Sequence, residues 1–447
     1  MILGGFLKLN QGKKDSTTEG GNERSSSRSI LRRNGFNTTT IAGCSPMNKF
    51  DNNCKKTHVP SGEDRIRYIK LRQINKNYNN SKNVKAAQAG LCPDKIVTGG
   101  TFKTQEALNE LRGCTKIDGD LIIQNFTTST IDFSVFNCLK EITGRIQIEN
   151  NTTLTAISGF AKLTKIDGSI LLEVNQKVSI LIMNNAALKT INGFGELGSV
   201  GGHFNIEDNA KLETINGFGV LKTVDGNFGI NSNAILESIP EFTKLETVGE
   251  FFQIISNAKL ASIPGFGALE IVNGGISIEN NAILASIIGF TKLINVGVNF
   301  TISTNDELAS ITGFGILGTV GGVFQIISNA KLTSINRFGA LGSVGENFSI
   351  EENAELASIS GFGVLESVGG FIQISGNGGD LTGDANNVVI TITGFNKFST
   401  EPKGITGNVT VTGISDTKLL EFADVAIRNN MADATVGLTD FSFTIPS

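Results

Sequence analysis

Histidine and carboxylate side chains are the residues of this sequence whose types could support catalysis or metal binding. The two histidines, His58 and His203, lie in different regions of the chain, whereas a Ser-His-Asp triad or a histidine metal site needs several such groups together. Glu207, Glu279 and Glu351 recur every 72 residues, which is too far apart for the paired carboxylates of an acid/base site. The sequence therefore predicts neither an enzyme nor a bound cofactor, metal ion or small-molecule substrate.

The five cysteines all lie in the first third of the chain, at Cys44, Cys54, Cys92, Cys114 and Cys138. No two of them form a C-x-x-C motif, so zinc binding and thioredoxin-like redox chemistry are not indicated. The spacing leaves three interpretations open: a Cys92–Cys114 disulfide, a Cys114–Cys138 disulfide, or unpaired buried thiols.

A 24-residue repeat must position most of the remaining side chains. Phe recurs at this interval from Phe194 to Phe362, Leu follows three positions later and Val three positions after that, in the unit F-G-x-L-x-x-V-x-G-x-F-x-I-x-x-N-A-x-L-x-S-I-x-G. A fixed period in this range is typical of a solenoid, and the F-x-I segment has the alternation of a strand. The sequence predicts an all-β dominated, right-handed parallel β-solenoid of about twelve coils, because parallel crossovers are nearly always right-handed.

The asparagine after each predicted strand can hydrogen-bond backbone groups at a corner and tolerates left-handed geometry. Stacked asparagines are predicted to form a structural ladder that satisfies turn amides otherwise buried. The ladder comprises Asn209, Asn233, Asn257, Asn281, Asn305, Asn329 and Asn353. A row of Ser and Thr from Thr190 to Ser358 is predicted to form a second ladder, and the repeated Phe residues a buried spine.

One residue in each predicted strand points outward between the repeated Phe and Ile. This row is polar but mixed in type, and it is the candidate binding face for a protein or glycan: Asn205, Gln253, Ser277, Thr301, Gln325, Ser349 and Gln373. Two sequons place Asn299 and Asn347 directly before strand Phe residues, on the same outward side.

The charge is distributed unevenly along the chain. Residues 1–95 carry 18 Lys and Arg against 7 Asp and Glu, and their Ser-, Gly- and Asn-rich composition predicts a largely disordered basic arm. Arg65, Arg67, Lys70 and Arg72 alternate with apolar residues there. They indicate either a patch for an anionic partner or a solvated charged linker.

The domain organisation predicted after this arm has three parts. Residues 96–116 form an N-terminal cap that includes a short amphipathic helix within Thr101 to Arg112, residues 117–377 form the regular solenoid, and residues 378–447 form an irregular last coil and a C-terminal cap. Two breaks interrupt the repeat. One is a β-hairpin expected at residues 170–182, pushed out of the stack, and the other is an insertion at residues 378–390.

The run from Cys114 to Ile123, C-T-K-I-D-G-D-L-I-I, resembles the beginning of a receptor L domain, and the repeat after it is similar to the leucine-rich β-helical coils of that family. Insulin-receptor-type ectodomains and fungal cell-wall proteins share such domains, and the resemblance covers roughly residues 101–412. It implies a surface-exposed, non-catalytic recognition or wall-organising role. No secretion signal, membrane-spanning run or hydrophobic GPI-type tail is apparent in the sequence.

Two functional hypotheses follow from these patterns. The first is an extracellular or cell-surface recognition and adhesion solenoid that presents a polar sheet face to a protein or glycan. The alternative is a structural component of a cell wall, extracellular fibre or virus particle, anchored by the basic arm. The alternative location is a virion or an intracellular assembly.

Overall fold

The computed structural model describes residues 92–126, 130–171, 176–239, 242–378, 391–392 and 409–411. These residues form a parallel β-solenoid of about 11 turns, with about 24 residues in each turn and almost no helix. The predicted fold class is therefore confirmed. The right-handed winding stays a prediction.

Each turn contributes one longer strand to a 24-stranded sheet. These face strands are Lys116–Gln124, Ile146–Glu149, Gln176–Met183, His203–Glu207, Phe228–Asn231, Phe252–Ile255, Ile276–Glu279, Phe300–Ser303, Phe324–Ile327, Phe348–Glu351, Ile372–Ser375 and Val409–Val411. Successive face strands pair in parallel with equivalent repeat positions opposite each other, as in Phe204 against Phe228 and Ile206 against Ile230. Because identical positions stack, every column of the repeat becomes a continuous row of side chains.

Two further rows of short strands complete the turns. The leading strands come just before the face strands and belong to the same sheet; they are Glu141–Ile142, Lys165–Ile166, Ser199–Val200, Thr223–Val224, Thr247–Val248, Ile271–Val272, Asn295–Val296, Thr319–Val320, Ser343–Val344 and Ser367–Val368. The Ser/Thr strands form three small sheets; they are Ala156–Ile157, Thr190–Ile191, Thr214–Ile215, Ser262–Ile263, Ser286–Ile287, Ser310–Ile311, Ser334–Ile335, Ser358–Ile359 and Thr391–Ile392.

The Ser/Thr row differs from the predicted second ladder. Its residues pair through the backbone, as in Ser262 against Ser286, and among the described residues no hydrogen bond joins their hydroxyl groups. The ladder in this row therefore consists of main-chain bonds, for which the small polar side chain is not needed.

Two columns of phenylalanine fill the interior. The first column stacks continuously from Phe136 through Phe160 to Phe362, with neighbouring ring centroids 4.9–5.7 Å apart. The second column, Phe204 to Phe348, meets the first edge-on, and Ile276 interrupts it. All these rings are fully buried. One coil cannot enclose such rings alone, so its stability comes from its neighbours.

Glycine occupies most of the positions where the chain turns from a leading strand into a face strand, although Asp225 and Asn273 stand at two of them. A Cβ built at Gly345 would lie 2.0 Å from the carbonyl oxygen of Gly321 in the preceding coil. At Gly339, on another corner of the same coil, a Cβ would meet nothing within 4 Å. The first glycine is thus fixed by the close approach of two backbones, and the second is not.

We expect Gly345→Ala to lower the free energy of unfolding by about 1–3 kcal/mol, because the added methyl group overpacks this corner. The control Gly339→Ala should change it by no more than about 0.5 kcal/mol. Urea unfolding followed by circular dichroism measures both values. Equal losses in the two variants would contradict this account of the corner.

The N-terminal end begins one coil earlier than the repeat predicts. Strand Ile96–Phe102 pairs in parallel with Lys116–Gln124, so part of the predicted Thr101 to Arg112 helix is strand. The helix is only Gln105–Asn109, capped by the Thr104 side chain, which accepts a hydrogen bond from the Ala107 amide. The prediction of a longer helix was wrong because pairing with an existing strand overrides a weak helical pattern. A 3-10 helix, Phe133–Phe136, lies in the next turn.

Cys92 and Cys138 form a disulfide with their Cα atoms 5.3 Å apart. The Cys92–Cys114 and Cys114–Cys138 interpretations were therefore wrong. Cys114 is fully buried in the core cluster beside Leu111 and Ile117, and burial raises the pKa of its thiol to about 11. The disulfide ties the strand region of the first turn to the second coil.

The break in the repeat is a hairpin, as predicted, but only part of it leaves the stack. Strand Ser169–Leu171 pairs antiparallel with the beginning of Gln176–Met183. The rest of Gln176–Met183 is a regular face strand, paired in parallel with Ile146–Glu149 and His203–Glu207. At the other end, Val409–Val411 pairs with Ile372–Ser375, which agrees with the predicted strand. The predicted helix at residues 419–428 and strand at residues 441–445 lie outside the described residues.

Candidate functional site

The outward side of the face strands is the surface of the described solenoid that carries the predicted binding row. We call it the outer face and define it as residues 201–208, 225–232, 249–256, 273–280, 297–304, 321–328, 345–352 and 369–376. In each segment the strand places alternate side chains outward. Parallel pairing then aligns these side chains into three columns that run along the solenoid.

The middle column is the predicted binding row. The structure brings these residues into one register, from Asn205 through Gly229 and Gln253 to Gln373. Most are half-buried, because each outward side chain packs between those of the coils on either side. Ser349 is 2% exposed, so it contributes little contact surface. Asn205 leans over Gly229, where a Cβ would lie 2.8 Å from its Oδ1 atom. The middle column is therefore polar and mostly half-buried.

The outer face carries negative charge without Lys or Arg. Its charged side chains are eight carboxylates and no cation: Glu207, Asp208, Asp225, Glu250, Glu279, Glu346, Glu351 and Glu352. Glu279 is hydrogen-bonded to the Ser277 hydroxyl, and Glu351 accepts from Gln373 Nε2 at 2.6 Å. These carboxylates are held in place by neutral donors, so their charge is not cancelled locally.

Burial, followed by the charge of the adjacent Asp208, raises the pKa of Glu207 above its ordinary value. Both causes disfavour the ionised carboxylate. The larger cause is burial, which reflects the packing of Glu207 between the neighbouring coils.

Exposed apolar side chains lie among these carboxylates. Phe251 is 43% exposed, Phe371 37% and Val298 40%. The Phe251 ring lies over Gly275, whose Cβ would be 3.2 Å from the ring. The outer face thus combines polar, acidic and aromatic side chains, of which the aromatic ones are enriched in protein interfaces.

A row of hydrogen-bond acceptors, which sequence reasoning missed, occupies the position directly before the first buried Phe or Leu of the face strands. The side chain accepts from the backbone amide of the equivalent residue one coil later, as Asn299 does from Val323 at 3.0 Å. The other members are Asp120, His203, Asn227 and Asn347. A glycine in the next coil makes room for four of these five side chains, at Gly144, Gly226, Gly322 and Gly370. The pairing of such an acceptor with a glycine 23 or 24 residues later is the signal that could have found four of them.

His203 is the imidazole member of this row. Burial lowers its pKa, against the opposing effect of Glu250 at 3.5 Å. Its Nδ1 atom accepts from the Asn227 amide at 2.7 Å, so the neutral ring carries its proton on Nε2. The imidazole thus serves as a backbone acceptor, like the asparagines in the same row, rather than as a base with a catalytic partner.

The predicted Asn ladder residues lie on the inner side of the corner that follows each face strand, and they are fully buried. Asn257 is representative. Its Oδ1 accepts from the Asn233 amide at 3.1 Å, and its Nδ2 donates to the Ile230 carbonyl at 2.8 Å and to Asn281 Oδ1 at 3.3 Å. The same bonds extend the row from Asn151 and Asn185 to Asn377.

Left-handed geometry falls on the residue before each ladder asparagine. The ladder asparagines themselves were expected to tolerate it, but positive φ values of 54–59° occur at residues such as Asp208, Ser256 and Thr304. The asparagine is selected for its two-sided hydrogen bonding, and the preceding position takes the strained turn. Such residues are uncommon at positive φ outside Asn, Asp and Gly.

Metal binding, membrane-spanning segments and the predicted basic patch complete the comparison with the sequence. Arg65, Arg67, Lys70 and Arg72 lie outside the described residues. Within the described residues no group of three or more His, Cys, Asp or Glu side chains could hold a metal ion. In the same part of the chain no helix is long and apolar enough to cross a membrane.

The fold and the outer face define a parallel β-solenoid repeat protein with an extended polar and acidic surface. Residues 113–214 match the model of the Receptor L domain family, so the resemblance to receptor L domains is confirmed over that segment and the chain is receptor L-domain-like. A search of curated proteins found no match to the chain. The receptor L domain is a non-catalytic binding domain, which indicates a binding or recognition role.

Proposed function

We propose that this protein is a non-catalytic recognition and adhesion solenoid that binds a protein ligand through its outer face. The observation that carries the proposal is the segregation of the side chains. The Phe, Leu, Ile and Asn rows are buried between stacked coils, and their residues from Phe194 to Phe362 are 0–2% exposed. The outward columns remain available along eight successive coils.

Three further features support an extracellular or cell-surface location as part of this proposal. Receptor L domains are typically extracellular and bind protein ligands. The Cys92–Cys138 disulfide is of the kind that persists in oxidising compartments. Asn299 is the asparagine of a sequon and is exposed, although its Oδ1 accepts a hydrogen bond from the Val323 amide. An exposed sequon is compatible with such an environment.

The proposal is tested by placing large, uncharged side chains on the outer face. Thr301→Trp/Gln325→Trp places two large rings on the middle column of the outer face. The matched control, Ala261→Trp/Ala285→Trp, adds the same bulk at exposed alanines on another side of the solenoid. Retention of the fluorescent full-length chain on intact cells or particles of its source organism is then measured.

We expect the face-blocked variant to lose most of its retention and the control to keep it. Protease treatment of the surface should abolish retention, whereas glycosidase treatment should not. Equal retention of both variants would overturn the assignment of the face, and sensitivity to glycosidase alone would replace the protein ligand by a glycan.

The charge asymmetry of the chain favours the alternative, a structural component anchored through residues 1–95, which carry 18 Lys and Arg against 7 Asp and Glu. Localisation of the tagged protein with and without these residues separates the two functions. Normal localisation of the truncated chain would remove the alternative.

A further inference from the structure

The Lys and Arg side chains of the repeat lie on other sides of the solenoid than the outer face. The outer face carries eight carboxylates from Glu207 to Glu352. The cations of the same coils all lie outside it: Lys211, Lys222, Lys244, Lys259, Lys292, Lys331 and Arg337. Several of these lysines already have partners, such as Lys331 with Glu307 at 2.6 Å and Lys222 with Glu246 at 3.9 Å. The parts of these coils outside the face carry nine carboxylates against these seven cations, so most of the net negative charge lies on the outer face.

Within the described residues, no Lys or Arg side chain forms an ion pair with a carboxylate of the outer face. Among the described ion pairs, the only one that involves this face joins Glu250 to His203 at 3.5 Å. That histidine is buried and has a lowered pKa, which keeps the ring neutral at neutral pH. A ligand that carries positive charge would therefore meet uncompensated carboxylates.

Aromatic rings lie beside the charges. Phe251 directly follows Glu250 in the chain and is 43% exposed, and Phe371 is 37% exposed. A guanidinium or ammonium group can contact a carboxylate and an aromatic ring at once, and the stems of Arg and Lys can cover apolar surface.

The carboxylates also have a regular spacing. Glu207, Glu279 and Glu351 occupy the same column three coils apart, which at about 4.8 Å per coil separates them by about 14 Å. An extended polypeptide advances about 3.4 Å per residue, so every fourth residue would reach the next carboxylate.

We propose that the outer face binds an extended, Lys- and Arg-bearing polypeptide segment of another protein, which lies along the solenoid axis. The proposal rests on the recognition function proposed above and names the chemistry of its ligand. Nucleic acids, anionic lipid surfaces and acidic glycans would be repelled by the same carboxylates.

The experiment uses the full chain and a synthetic fluorescent peptide with arginine at every fourth position. The face variant is Glu207→Gln/Glu279→Gln/Glu351→Gln, which preserves hydrogen-bond acceptors. The control variant Glu196→Gln/Glu270→Gln/Glu366→Gln makes the same change in net charge at exposed positions outside the face. Fluorescence anisotropy gives the dissociation constants, and circular dichroism checks that both variants are folded.

We expect the face variant to bind the peptide about tenfold more weakly and the control to differ by less than about twofold. Added salt should weaken binding to the unmodified chain, since exposed charge pairs are screened. Equal weakening in both variants would overturn the proposal, because binding would then follow net charge alone. Equal binding of a peptide with glutamate in place of arginine, or of a neutral oligosaccharide, would overturn it as well.

The two proposals fail in different ways. If Thr301→Trp/Gln325→Trp removes retention on the native surface while the three Glu→Gln substitutions leave retention and peptide binding unchanged, the outer face is a recognition surface but its ligand is not cationic. If neither set of substitutions changes retention, the outer face is not the recognition surface.

Discussion

Asn257→Leu is expected to lower the free energy of unfolding by about 3–5 kcal/mol. The substitution leaves the buried Asn233 amide and the Ile230 carbonyl without the partners they have at 3.1 and 2.8 Å. Each buried polar group left unsatisfied costs about 1–3 kcal/mol, and the branched side chain must also fit a corner shaped for an amide. Denaturant unfolding followed by circular dichroism gives the difference between the variant and the unmodified chain.

Asn216→Leu is the matched control for this prediction. Asn216 also pairs with an asparagine one coil away, Asn192, through an Nδ2–Oδ1 bond of 3.2 Å, but this pair lies at the surface. Water replaces the lost bond there, so we expect a change within about 0.5 kcal/mol. A similar loss in both variants would show that burial of the Asn ladder is not the source of its stabilising effect.

Phe266→Ala should cost about 3–5 kcal/mol, the range typical of removing a buried phenylalanine. The Phe266 ring is fully buried and stacks between Phe242 and Phe290 at 5.5 and 5.6 Å. It also meets Phe228 and Phe252 edge-on, at 5.5 and 4.8 Å. The cavity would open in the middle of the array, where coils on both sides hold the backbone and limit its collapse.

Phe251→Ala provides the comparison, because the same substitution is made at a ring that is 43% exposed. We expect a loss of no more than about 1 kcal/mol, since little buried apolar area is removed. The melting temperatures of the two variants, measured by calorimetry, should differ clearly. If Phe251→Ala proved as destabilising as Phe266→Ala, the phenylalanine columns would not be the stabilising core.

The regular part of the fold could be predicted because its physical constraint is repeated in every coil. A coil buries its Phe, Leu and Val side chains only if the next coil places the same residue types above them. The same residue types therefore recur every 24 residues in the sequence. The parallel pairing of Phe204 with Phe228 and the burial of the Asn row both follow from that stacking.

The parts that do not repeat could not be predicted in this way. The pairing of Cys92 with Cys138 depends on how the strand Ile96–Phe102 places the chain beside the second coil. That strand contains two adjacent glycines and lacks the repeat pattern. The hairpin at Ser169–Leu171 was found from its apolar runs, but not the continuation of its second strand into the sheet.

The outer face was only partly visible in the sequence. Its middle column follows from strand alternation. The acceptor row from Asp120 to Asn347 was missed because its members differ in type, and the glycine that makes room for four of the five lies in the next coil. The accumulation of negative charge appears only when residues far apart in the chain are aligned in one sheet.

The central claim is that buried rows give the solenoid its stability while the outer face gives it recognition. The most direct test measures both the unfolding midpoint and the retention on the native surface for Asn257→Leu and for Thr301→Trp/Gln325→Trp. The account predicts that the ladder variant, kept below its unfolding midpoint, loses stability but not retention, and that the face variant loses retention but not stability. Loss of both properties in both variants, or retention by the face variant, would contradict it.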